Sequence, residues 1–119
     1  MTYKFFNANA RGKFVNDCVI RAISVAEGKT WDETYEELSS IAQKKGIILD
    51  DVNFVEPLLD SRYKRECFEE KYVGEFAEEH TKGIYLITMN GHITCCIDGI
   101  IYDTFDCRDR KMWCSWKVK

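Results

Sequence analysis

The hydrophobic rhythm of the chain changes once, near Gly83. Before that point apolar residues recur at helical intervals. Val19, Ala22, Ile23 and Ala26 form one stripe of a predicted first helix, Cys18 to Glu27, which Asn16 or Asp17 can cap and Gly28 ends. A second helix opens at Thr30, where the hydroxyl and the Glu33 carboxylate have capping-box spacing. It carries Trp31, Tyr35, Leu38 and Ile41 on one face and stops at Gly46. Asp50 to Arg62 reads as a third, shorter helix interrupted by Pro57, and Tyr63 to Lys82 as a charged connector.

After Gly83 the pattern is that of strands. Ile84 to Thr88, His92 to Ile97 and Ile100 to Phe105 are separated by Asn90-Gly91 and Asp98-Gly99, dipeptides suited to two-residue hairpin turns whose central positions need positive φ. A last strand, Trp113 to Val118, extends the sheet. Helices first and strands afterwards predict one α+β domain over residues 1–119, its N-terminal helices packed on one face of a C-terminal antiparallel sheet. No internal repeat is visible.

Composition narrows the function classes. Apolar residues make up 45% of the 119, charged ones 31%, and there is one proline, a balance that folds rather than stays disordered. The net charge of −3 supplies no broad positive field for nucleic acid or an anionic membrane surface, and Lys44 with Lys45 and Arg108 to Lys111 read as solvated faces. No apolar run is long enough for a membrane span, and the start, Met-Thr-Tyr-Lys-Phe-Phe, lacks a signal-peptide stretch, so a cytoplasmic protein is expected. In a reducing compartment the six cysteines are expected as free thiols.

The chemistry gathers around two of these residues. Cys18 falls in the first turn of its helix, where unpaired N–H groups and the positive end of the dipole favour a thiolate. A free cysteine is more often a small apolar core residue, so position alone does not make it a nucleophile. His92 opens a strand directly after a tight turn, in a chain with one other histidine, His80. With the hairpin centred on Asp98-Gly99, residue 105 lies opposite His92. Asp103 then shares its face, while Asp106 needs a bulge to reach it. Either carboxylate could fix the imidazole tautomer and stabilise the imidazolium formed when the base takes a thiol proton. Asp17 and Arg21 flank the cysteine as a local ion pair or, more simply, as a solvated helix face.

Cysteine at a helix start, histidine on a strand and aspartate across the hairpin resemble papain-like cysteine peptidases. The segments Asp17-Cys-Val-Ile-Arg-Ala-Ile-Ser24, Gly28-Lys-Thr-Trp-Asp-Glu-Thr-Tyr35, Gly91-His92 and Asp98-Gly-Ile-Ile-Tyr-Asp-Thr-Phe-Asp106 are similar to those of small phage and prophage proteins. The resemblance implies a papain-like hydrolase fold with Cys18 and His92 as the active pair and no known substrate. The chemistry of that pair, with Asp103 or Asp106 orienting His92, suits a peptide or amide substrate and is expected to need no cofactor or metal. Papain-like enzymes usually carry a glutamine before the nucleophile as oxyanion donor. None precedes Cys18, which leaves Asn16, Asn9 or Asn7 beside the Cys18 backbone N–H.

Two other readings compete. Cys95, Cys96, Cys107 and Cys114 with His92 offer zinc-type ligands, but adjacent residues of a strand point to opposite faces and no Cys-x-x-Cys knuckle occurs. A binding module that keeps the hydrolase fold but occupies a host protein could use aromatics such as Trp31, Tyr102, Trp113 and Trp116 as anchors, residues that suit a plain core as well.

Overall fold

The computed structural model describes residues 1–49 and 51–119, with four helices and six strands among them. Helix α1 spans Cys18–Glu27 and α2 spans Trp31–Lys45, ending at Gly28 and Gly46 in left-handed conformation. The capping box of α2 is present: the Glu33 N–H donates to the Thr30 hydroxyl at 3.0 Å and the Thr30 N–H to the Glu33 carboxylate at 2.9 Å. Helix α3, Val52–Arg62, runs through Pro57 without the expected interruption, and the expected start at Asp50 lies outside the described residues. Proline removes the bond to the carbonyl four residues earlier. Both Pro57 and Asn53 are exposed, so water can serve that carbonyl instead.

The segment read as a charged connector holds strand β2, Lys64–Cys67, and helix α4, Val73–Glu79. All four residues of β2 are exposed, so no alternation marks it. The stripe of α4 is only Val73, Phe76 and Ala77 among glutamates. A further strand, β1 (Tyr3–Phe5), was also invisible to periodicity because it is only three residues long.

With β3 (Ile84–Met89), β4 (His92–Ile97), β5 (Ile100–Asp103) and β6 (Met112–Lys117), the sheet order is β1-β5-β4-β3-β6-β2. β1 pairs parallel with β5, setting Tyr3 opposite Ile101 and Phe5 opposite Asp103, while the other pairings are antiparallel. The sheet is therefore mixed rather than antiparallel, with one edge strand from the start of the chain.

The two hairpins obey the predicted register, Met89 opposite His92 and Ile97 opposite Ile100. At the second, Asp98 (φ 50°) and Gly99 (φ 79°) both take positive φ. A Cβ on Gly99 would lie 3.0 Å from the Ala77 carbonyl oxygen, so a side chain is excluded there twice over. At the first, only Gly91 (φ 70°) is positive, so Asn90 does not adopt the expected conformation.

The helices do not share one face. Leu86, Ile93, Cys95, Cys114 and Trp116 pack with α1, α2 and α3, whereas Ile87, Met89, Cys96, Ile101 and Met112 pack with α4. Consecutive residues of β3 and β4 are thus buried on opposite sides, which is why these strands read as apolar runs rather than alternating ones. Among the described residues no helix is long and apolar enough to cross a membrane.

The expectation of six free thiols is overturned at one pair. Cys67 and Cys114 face each other across β2 and β6 and form a disulfide, leaving Cys18, Cys95, Cys96 and Cys107 free. This link ties an exposed edge strand that buries little apolar surface, and it closes a loop of 47 residues. Reduction, or Cys67→Ser, is expected to lower unfolding stability in urea by about 2–4 kcal/mol. Amide exchange should rise in β2 while the β4–β5 hairpin, on the other side of the sheet, stays protected.

Candidate active site

Cys18 is the first residue of α1, and Asp17 precedes it as the N-cap residue. Asp17 makes no side-chain capping bond. Its carboxylate instead accepts from Arg21 Nε (2.7 Å), Trp31 Nε1 (2.9 Å) and Asn9 Nδ2 (3.0 Å). The first-turn N–H groups, which have no intrahelical acceptor, keep their partial positive charge beside the Cys18 sulfur.

α1 packs on β4, and this brings the Cys18 thiol within hydrogen-bonding reach of the His92 ring and of the Ile93 backbone. The other side of the ring is committed: His92 Nε2 lies 2.6 Å from Asp103 Oδ2. Nδ1 is therefore the nitrogen left for the thiol. The imidazole is 6% exposed and the Asp103 carboxylate 2%. Phe105 packs against the ring at 4.8 Å between centroids, a neighbour that sequence reasoning passed over although it is the residue directly opposite in the extended register.

The electrostatics follow from this line of groups. Burial raises the Cys18 pKa, but hydrogen bonds from His92 and the Ile93 backbone, with the charges of His92 and Arg21, outweigh it and hold the thiol below its ordinary value. Burial lowers His92, yet its bonds to Asp103 and Cys18 push it up to about 9. Burial raises Asp103, and its contacts with His92 and the Thr104 N–H bring it below the usual carboxylate value. Every free thiol elsewhere moves the other way: burial pushes Cys96 up to about 11 and Cys107 up to about 12, and raises Cys95 further. Cys18 is thus the one free thiol held below its ordinary value, and the one that lies against an imidazole.

Of the two aspartates left open by the sequence, Asp103 meets His92. Asp106 lies beyond the end of β5, exposed, and accepts from Arg108 Nε at 2.8 Å, so its assignment as an orienting group is corrected. Pairing of β5 with β4 ends at Tyr102 and with β1 at Asp103, and the bulge that would turn Asp106 inward does not form. The three asparagines also separate. Asn9 is buried with its amide on Asp17, and the Asn7 amide donates to the Lys13 carbonyl at 3.0 Å. Asn16 is exposed and lines the same groove as Cys18, so of the three it alone remains beside the sulfur without a bond that draws its amide elsewhere among the described contacts.

That groove has a volume of about 430 Å³ and is lined by Cys18 and His92 together with Val19, Val55, Met89, Ile93 and Trp113, with Glu56 and Thr88 as its other polar side chains besides Asn16. Trp113, 47% exposed, is the one of the four singled-out aromatics that stands at its rim. Trp116 is fully buried, with its indole N–H on Asp60 at 2.9 Å, and Trp31 is turned inward onto Asp17.

As a set, the cysteines of the zinc reading do not gather around His92. Cys114 is in the disulfide, and Cys95 and Cys96 face opposite clusters. His92, Asp103 and Cys107 do bring one donor atom each within 4.8 Å of one another. The 2.6 Å contact between His92 and Asp103 is shorter than the separation of two ligands on one tetrahedral zinc, about 3.3 Å for metal–ligand bonds near 2.0 Å, so this trio does not fit a metal.

Arg21 and Asp17 are not a solvated face. Their side chains are 11% and 6% exposed, and Arg21 bridges Asp17 to Asp103, 82 positions away. The signal for it was present in the sequence as an arginine one turn after the cysteine, but its partner on β5 was not.

Comparison with models of protein families, with curated proteins and with solved structures returns no match.

Proposed function

We propose that this chain is a cysteine hydrolase of papain-like organisation, acting on an amide or ester carbonyl. The observation that carries the proposal is the continuous line from Cys18 at a helix start, through His92, to the buried Asp103 carboxylate. Support for a papain-like arrangement comes from the order of these groups, cysteine on α1 and then histidine and aspartate on two neighbouring strands.

In the proposed reaction His92 Nδ1 takes the Cys18 proton, giving thiolate and imidazolium held together by Asp103. The sulfur attacks the carbonyl carbon, and the negative oxygen is received by first-turn backbone N–H groups with the Asn16 amide. As the tetrahedral species collapses, the imidazolium passes its proton to the departing nitrogen or oxygen, which leaves an acyl group on sulfur as a thioester. Water then gives a proton to His92 and attacks the same carbon. The thiolate leaves, and the product acid and the starting pair are regenerated. With another nucleophile in place of water, the same steps make an acyl transferase. The apolar walls of the groove favour a substrate with an apolar group beside the reacting carbonyl.

Iodoacetamide at about pH 6, followed by peptide mass mapping, tests the activated thiol, because a thiolate paired with imidazolium alkylates there and an ordinary thiol hardly does. The expected label is on Cys18 alone among the four free cysteines, and an activated acyl ester should leave a thioester on the same residue. Labelling of Cys18 no faster than a thiol in an unfolded peptide would reject the proposal.

A further inference from the structure

We propose that Arg21 is a positioning residue of this site, one that locks the Asp103 carboxylate toward His92 and fixes helix α1, with its cysteine, against strand β5. The inference rests on the hydrolase reading and adds to it a residue whose side chain touches neither the sulfur nor a substrate in the proposed steps.

The geometry divides the two oxygens of Asp103 between two elements. Oδ2 is at 2.6 Å from His92 Nε2, while Oδ1 accepts from Arg21 Nη1 at 3.0 Å and from the Thr104 N–H at 2.7 Å. A carboxylate held on Oδ1 by two donors cannot rotate away from the imidazole without breaking both bonds. The guanidinium is held in turn, since its Nε donates to Asp17 Oδ1 at 2.7 Å and Asp17 Oδ2 is engaged by Trp31 and Asn9. A lysine ammonium lacks the planar fork that reaches both aspartates in these directions.

The charges alternate along the line: Asp17 negative, Arg21 positive, Asp103 negative, His92 positive and Cys18 negative when ionised. The groups facing Asp103 and Arg21 are these, with Tyr3 of β1 donating its hydroxyl to the Asp103 carbonyl at 3.2 Å and the protonated Cys107 thiol close by. Asp106 is exposed and paired with Arg108. Loss of the Arg21 charge therefore leaves the buried Asp103 carboxylate with the imidazolium as its one cationic partner, and Asp17 buried behind it without a counter-charge. That makes the imidazolium harder to deprotonate and the thiolate harder to form. Both limbs of the activity window should move to higher pH, a displacement that loosened packing would not produce.

The test compares wild type, Arg21→Gln and Arg21→Lys by the pH dependence of Cys18 alkylation with iodoacetamide, and by the proton resonance of the His92–Asp103 hydrogen bond. The expected result for Arg21→Gln is an onset of alkylation about one pH unit higher, or about tenfold slower labelling at a fixed acidic pH. Arg21→Lys should keep the onset near that of wild type but weaken or broaden the downfield His92 resonance. In a turnover assay it should lower kcat with little change in KM. If Arg21→Gln does not fold, the Arg21→Lys resonance decides alone. A folded Arg21→Gln with wild-type onset, or an Arg21→Lys with an unchanged resonance and kcat, overturns the inference while leaving the hydrolase reading intact. Wild-type Cys18 that alkylates slowly at acidic pH overturns the hydrolase reading and this inference with it.

Discussion

If the chain is the proposed hydrolase, Cys18→Ala and His92→Ala are each expected to lower kcat/KM by about 10⁴- to 10⁶-fold. The two substitutions act on one device, so the double variant should lose no more than either single one. They differ in a second measurement. In His92→Ala the thiol is still present but has lost both the hydrogen bond and the neighbouring charge that hold its pKa down. Its labelling by iodoacetamide near pH 6 should slow by about a hundredfold, toward that of an ordinary thiol. Far-ultraviolet circular dichroism should be unchanged, since Cys18 is only partly buried and His92 stands at the start of its strand. Loss of the folded spectrum would instead make the pair structural.

Asp103→Ala should damage both stability and turnover. The carboxylate is almost wholly buried and receives bonds from His92, Arg21 and the Thr104 N–H. Removing it leaves the Arg21 guanidinium paired with Asp17 alone and the imidazole without its acceptor, a change expected to cost about 2–3 kcal/mol. Turnover should fall by about 10³- to 10⁴-fold through loss of the tautomer and of imidazolium stabilisation. Urea unfolding across pH separates the two effects. His92 is raised to about 9 when folded, so its contribution to stability is fully present below about 6.5, the unfolded value, and is lost as pH rises through 9. Asp103 is lowered when folded, so its contribution is present above the ordinary carboxylate range and is lost as pH falls through the depressed value. Wild-type stability should therefore decline on both sides of a mildly acidic plateau, and the variant should show a lower, flatter profile. A profile identical to wild type would mean that the His92–Asp103 contact is not formed in solution.

Much of the scaffold that holds these groups was legible locally. The limits of α1, the capping box at Thr30 and the register of both hairpins depend on residues within a few positions of each other, and each agrees with the structure. Placing Cys18 at a helix start and Asp103 within reach of His92 followed from those local rules. The choice between Asp103 and Asp106 did not, because it depends on where strand pairing stops, and β5 is held at that end by pairing with β1 some hundred positions earlier.

By itself the sequence determined the first two helices, the body of the third, the places of the two hairpin turns and the two strands that present the histidine and its carboxylate, since helix caps and two-residue turns are decided by neighbouring backbone groups. Only the tertiary structure decided the parallel edge strand, the helix on the second face of the sheet, the disulfide and the burial of Arg21 between two aspartates. Those features join segments far apart in the chain, and their free energy comes from packing and desolvation after the elements meet. No short window of sequence contains that information.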